Sequence, residues 1–126
     1  MADNFFLETI IDNHVKWSGE TFPLCTAHGA MLHAEREIKE LRESIENQEP
    51  ITVIAEEAAD VLGCFFDAMQ REGISLADIK LAFDKKLEKN KKRTWIFNGD
   101  GSYRHVKKEE QFPGFLGKYK HTNCPE

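Results

Sequence analysis

The stretch from Pro50 to about Glu72 limits the possible folds most. Ile51, Val53, Ile54, Ala55, Ala58, Ala59, Val61, Leu62, Cys64, Phe65, Phe66, Ala68 and Met69, placed at about 100° per residue, cover roughly two-thirds of a helical wheel. A helix so apolar must be covered on several sides, which makes it the central element. Pro50 suits a helix start, and Gly73 suits a glycine cap at the end. Glu57 projects among Val53, Cys64 and Ala68, inside the apolar arc, and Asp60 lies at its edge, towards Glu56 and Asp67. A carboxylate directed into a core without a partner is costly or takes up a proton. Something positive has to meet Glu57, either a metal cation or a lysine or arginine in a structural ion pair.

The preceding segment, from Thr26 or His28 to Asn47, reads as a second amphipathic helix. Ala30, Met31, Ala34, Ile38, Leu41 and Ile45 form its core stripe, and His33, Glu37, Glu40 and Ser44 lie along one shoulder of that stripe. Glu37 and Glu40 make an E-x-x-E, and Glu57 and Asp60 an E-x-x-D. Residues three apart share a helix face, so each pair aims two carboxylates in one direction. The short connection around Asn47 to Pro50 folds the helices back antiparallel, and the four carboxylates converge. Such a cluster stays ionised only when cations neutralise it, and Mg²⁺ or Mn²⁺ suits an all-oxygen site.

The remaining chain builds on this pair. Apolar residues from Phe5 to about Lys16 recur at helical spacing, with Asp3 or Asn4 as the cap. Ser18-Gly19 and Pro23 predict a loop from Trp17 to Thr26; its Trp17 and Phe22 either stack on a nucleobase or close one end of the core. Ser75 with Asp78 forms a capping box that opens a fourth helix, Leu76 to about Lys92. No strand appears among the four, and an antiparallel four-helix bundle of the all-α class follows. Lys86, Lys89, Asn90 and Arg93 fall near one face of the fourth helix. They read as a solvated ridge favoured by the helix dipole or as a phosphate-binding one. Trp95 to Val106 predicts a short hairpin through Asn98-Gly99-Asp100-Gly101, and the chain from Lys107 to Glu126 reads as an irregular tail.

Composition excludes other classes. A net charge of −5 argues against a general nucleic-acid binder, and no apolar run approaches the length needed to span a bilayer. No signal-peptide pattern is present, so the expected location is cytoplasmic. Three cysteines, Cys25, Cys64 and Cys124, without a C-x-x-C, indicate neither a disulfide framework nor a thiolate zinc site.

Taken together, E-x-x-E, sixteen intervening residues and E-x-x-D resemble the MazG-like all-α nucleoside triphosphate pyrophosphohydrolase superfamily over roughly Trp17 to Trp95. Trp17-Ser18, Glu20-Thr21-Phe22, His33 and the K-x-x-x-N-x-x-R-x-W string of Lys86, Asn90, Arg93 and Trp95 resemble its phage-type dATP/dGTP diphosphohydrolase branch. The resemblance implies cleavage of a purine deoxynucleoside triphosphate to the monophosphate and pyrophosphate. It implies two or more Mg²⁺ ions, with Mn²⁺ accepted, on Glu37, Glu40, Glu57 and Asp60, and Glu37 or Glu40 as the proton acceptor. Lys86, Lys89, Asn90 and Arg93 would bind phosphates, Trp17 and Phe22 the base, in a homodimer or homotetramer without a membrane or stable nucleic-acid partner. Residues 1–95 would form the catalytic domain and residues 96–126 an extension. Competing expectations are a pyrimidine-directed pyrophosphatase of the same superfamily and a non-enzymatic helical interaction module with a structural cation site. A di-iron bundle requires Glu-x-x-His motifs, and the chain has none.

Overall fold

The structure, a computed structural model, describes residues 2–107, with side chains from residue 7 onward. Four helices come first, α1 (Ala2–Thr21), α2 (Ala27–Glu46), α3 (Ile51–Arg71) and α4 (Leu76–Lys91), and then two short strands, β1 (Trp95–Phe97) and β2 (Tyr103–His105). The all-α class is therefore as the sequence predicts. The chain divides into two compact units, Met1–Ile79 and Lys80–Glu126.

In the first unit α3 is the hub, packing along α2 and also against α1. Thr26 caps α2, its hydroxyl accepting from the Gly29 amide at 3.0 Å. Asn47–Pro50 makes the reversal between α2 and α3, with Gln48 in the left-handed backbone region at φ 54°. The α2 C-terminus closes through amide bonds from Gln48 to the Ile45 carbonyl and from Glu49 to the Ser44 carbonyl, both at 3.0 Å, which satisfies orphan carbonyls of the last turn. Gly73 ends α3 at φ 79°, where a residue with a Cβ would be strained.

The residues buried in α2 and α3 include Ala30, Ala34 and Ala68, so part of the helix contact is made by single methyl groups. A buried methylene-sized group contributes about 0.8 kcal/mol, and among the described residues no large side chain is fully enclosed. The expected α2 stripe is only partly covered. Leu41 is half-buried, while Ile38 and Ile45 remain 51% and 55% exposed.

One expectation is corrected. Trp17 to Thr21 belongs to α1, and only the segment from Phe22 to Thr26 is the connection. The helical ladder runs through Ser18-Gly19, with the Phe22 amide donating to the Ser18 carbonyl at 2.8 Å. An interior glycine costs a helix about 1 kcal/mol. Here that loss is offset by hydrogen bonds from α3 to Ser18.

The second unit carries the last part of α4 and the hairpin. The capping box at the α4 start is present, with the Ser75 amide donating to Asp78 Oδ2 at 2.9 Å and the Asp78 amide to Ser75 Oγ at 3.1 Å. These bonds hold the Asp78 carboxyl below its ordinary value. Strands β1 and β2 pair antiparallel in the register Trp95↔His105, Ile96↔Arg104 and Phe97↔Tyr103. Gly99 and Gly101 turn the hairpin at φ 90° and 93°. The tail expected beyond Lys107 lies outside the described residues. No helix among the described residues is long and apolar enough to cross a membrane.

Candidate active site

Three of the four singled-out carboxylates meet where α2 runs beside α3. Glu37, Glu40 and Glu57 each offer an oxygen within 4.8 Å of the others. Their approach follows from helix geometry: Glu37 and Glu40 share a face of α2, and Glu57 stands on the side of α3 turned to it. Asp60 lies one turn further along α3 and shares a cavity wall with Glu37 rather than joining that tight group.

The electrostatics of the cluster are unbalanced. His33 Nε2 lies 3.1 Å from Glu37 Oε2 and fixes that oxygen. The other oxygen, Glu37 Oε1, is sealed from solvent without a hydrogen-bond partner, and so is Glu57 Oε1. Burial, and then the negative charges of Glu40, Glu37, Asp60 and Glu56, push the Glu57 carboxyl above its ordinary value. Among the described residues no lysine or arginine pairs with Glu57. Unsatisfied buried oxygens in an all-oxygen donor set fit a hard divalent cation.

A cavity of about 620 Å³ adjoins the cluster. Trp17, Ser18, Phe22 and His14 form its aromatic side, Glu37, His33 and Arg36 its α2 side, and Asp60, Cys64 and Asp67 its α3 side. Trp17 and Phe22 meet edge to face with ring centroids 5.4 Å apart, so the two expected base-binding aromatics stand together as one wall. Burial, with Glu37, Asp60 and Asp67 nearby, raises the Cys64 thiol and Arg36 opposes the rise, which leaves Cys64 a neutral wall residue.

The sequence reading missed what holds this wall in place. Arg71 Nε donates to Asp67 Oδ1 at 3.0 Å, Nη1 to the Cys25 carbonyl at 2.6 Å, and Nη2 to the Ser18 carbonyl and hydroxyl at 3.2 and 3.4 Å. One guanidinium thus ties the end of α1 and the α1–α2 connection to α3. The signal for it is the Asp67–Arg71 pair at four-residue spacing near a helix C-terminus, with Arg71 the basic residue of the last turn.

The remaining expected residues lie in the second unit. Lys86 and Lys89 are exposed on α4. Arg93 Nη1 donates to Asn90 Oδ1 at 2.9 Å, and Trp95 Nε1 donates to the Asn90 carbonyl at 3.0 Å. The K-x-x-x-N-x-x-R-x-W string thus has a local logic, because Asn90 joins the end of α4 to the start of β1.

Comparison with known proteins agrees with this fold. A structure of the MazG-like pyrophosphohydrolase of cyanophage S-2L, bound to dGDP and three catalytic Mn²⁺ ions per active site, is similar in fold, with a TM-score of 0.63. It is 25% identical in sequence, and the similarity covers 79% of this chain and 96% of the phage protein. No curated protein matches the sequence. The family model of the dATP/dGTP pyrophosphohydrolases matches residues 10–111, a span that takes in Trp17, Phe22, Glu37, Glu40, Glu57, Asp60, Lys86, Lys89, Asn90 and Arg93, and the chain belongs to that family.

Proposed function

We propose that this chain is a metal-dependent hydrolase that converts a purine deoxynucleoside triphosphate, dGTP or dATP, to the monophosphate and pyrophosphate. The observation that carries the reading is the pair of sealed, unpartnered oxygens, Glu37 Oε1 and Glu57 Oε1, in a carboxylate cluster beside an aromatic-walled cavity. The purine assignment is supported by the family description and by the dGDP bound to the phage protein.

In this reading Glu37, Glu40, Glu57 and Asp60 hold Mg²⁺ or Mn²⁺, two or more ions per site. Bound there, such ions would polarise the phosphate and lower the pKa of a coordinated water. Water adds to the α-phosphorus, the bond from that phosphorus to the bridging oxygen breaks, and pyrophosphate leaves. The water's proton passes to Glu40. Of the two candidate acceptors Glu37 is the more committed, with Oε2 bound to His33 and Oε1 sealed in the cluster, whereas Glu40 is exposed. Trp17 and Phe22 wall the base, one by its face and the other by its edge. Lys86, Lys89, Asn90 and Arg93 bind the triphosphate tail, Arg93 held by its bond to Asn90. Residues 1–95 form the catalytic domain and residues 96–126 its extension.

The working form is a homo-oligomer inside the cell. Leu7, Ile10, Leu24, Ile38 and Ile51 are all exposed on the single chain, Leu24 to 93%, and a second copy would cover such apolar surface.

The test is hydrolysis of each common dNTP and NTP with Mg²⁺ or Mn²⁺, with the products separated. Fastest formation of monophosphate and pyrophosphate from dGTP or dATP is the expected result. A pyrimidine preference would discard the base assignment. Absence of turnover with every triphosphate would leave a metal-stabilised interaction module as the better description.

A further inference from the structure

The aromatic wall contains one polar group that the reaction above does not use. His14, on α1, lines the cavity with its ring centroid 5.8 Å from that of Trp17 and the planes inclined at 49°. Among the described residues neither of its ring nitrogens has a hydrogen-bond partner. The ring is seated against α3 at a glycine. A Cβ on Gly63 would lie 2.8 Å from His14 Cε1 and 2.9 Å from Nε2, closer than packed atoms approach. Gly63 sits inside a helix, where alanine would be the better helix former by about 1 kcal/mol, and no positive φ is needed there. The notch is therefore explained by the imidazole that occupies it.

A half-buried imidazole set in the cavity wall is a hydrogen-bonding group without a protein partner; Nε2 is turned to the Gly63 seat, and Nδ1, 3.5 Å from the same point, is the nitrogen farther from it. With a proton on Nδ1 it offers an N–H away from the seat. Adenine and guanine present opposite polarity at position 6, an amino donor in one and a carbonyl acceptor in the other. A donor aimed at that position would separate the two purines. The acceptors common to both are N3, beside the sugar, and N7, on the open edge, and pyrimidines have no counterpart of N7. Arg71 is engaged by Asp67, Cys25 and Ser18, and His33 by Glu37, whereas Arg36 and the Trp17 indole also lie on this cavity.

Resting on the purine pyrophosphohydrolase reading, we infer that His14 is a specificity-determining residue whose Nδ1–H donates to N7 of the bound purine, with Gly63 as its seat. This single contact accepts dATP and dGTP alike and gives a pyrimidine nothing in its place.

The test pairs an atom of the substrate with a residue of the protein. Steady-state kcat/KM is measured with dGTP, dATP and their 7-deaza analogues, which carry C–H in place of N7. The wild-type enzyme should disfavour the analogues by about tenfold. His14→Phe keeps the ring without the donor and should lose about the same factor on dGTP while no longer distinguishing the analogue. His14→Gln, which retains an N–H, should recover part of the discrimination. Gly63→Ala should displace the imidazole and reproduce the kinetics of His14→Phe, with the unfolding midpoint held or raised, a combination that a merely structural role would not give. Equal use of dGTP and 7-deaza-dGTP by the wild type would overturn the inference and leave the hydrolase reading intact. Retained discrimination in a folded His14→Phe variant would do the same. No turnover of any natural dNTP would overturn both.

Discussion

Glu57 and Asp67 are carboxylates on the same helix, both drawn back from water, and their surroundings could hardly differ more. Asp67 is answered by Arg71, whose remaining N–H groups are in turn answered by Ser18 and Cys25. Glu57 is surrounded by further carboxylates and keeps a sealed oxygen with no partner. A buried polar cluster that is satisfied holds a structure together. One that is left unsatisfied costs stability, and the fold keeps it for a ligand that completes it. The contrast teaches that burial of charge alone does not mark an active site. What marks it is burial with the counter-charge missing.

The contrast can be broken at either end. The largest effect is expected from Glu57→Gln, which keeps shape but removes a charge: turnover should fall by about a thousandfold or more, while circular dichroism shows the helices intact. Full activity in that variant would remove the cluster from the mechanism. Next is Arg71→Ala. It leaves Asp67 buried without its partner and should cost about 3–5 kcal/mol in denaturant unfolding. A loss below about 1 kcal/mol would show that the guanidinium fork is dispensable.

Added Mn²⁺ comes third. At about a hundred times its dissociation constant it should stabilise the fold by about 2.7 kcal/mol, seen as a raised unfolding midpoint. In Glu57→Gln the shift should shrink, and in Arg71→Lys it should persist.

The smallest effect is the pH dependence of the metal-free protein. Glu57 titrates above its ordinary value in the folded state, so the folded state holds the proton more tightly than the unfolded one. Its contribution to stability is complete below the ordinary carboxylate range and is lost as pH rises through the elevated folded value. The metal-free wild type should therefore lose stability on that rise more steeply than Glu57→Gln. Identical slopes would show that Glu57 is not perturbed.

Much of this was legible in the sequence because it is local. Three-residue spacing put Glu37 with Glu40, the Ser75–Asp78 box opened α4, and Pro50 and Gly73 bounded α3. The misreadings come from partners distant along the chain. Ser18-Gly19 carries every local sign of a break, yet the helix continues because Ser18 is bonded by Arg71, 53 residues away. Gly63 is silent in sequence, since its meaning lies in an imidazole on another helix. Ile38 and Ile45 have the spacing of the α2 core stripe, yet both remain exposed on the single chain.

The most direct measurement is a calorimetric titration of Mn²⁺ into metal-free protein, comparing the wild type with Glu57→Gln and Arg71→Lys. Saturable binding to the wild type and to Arg71→Lys, lost in Glu57→Gln, is the expected result. Binding to Glu57→Gln with wild-type affinity and stoichiometry would contradict the claim that the unsatisfied carboxylates are the metal site.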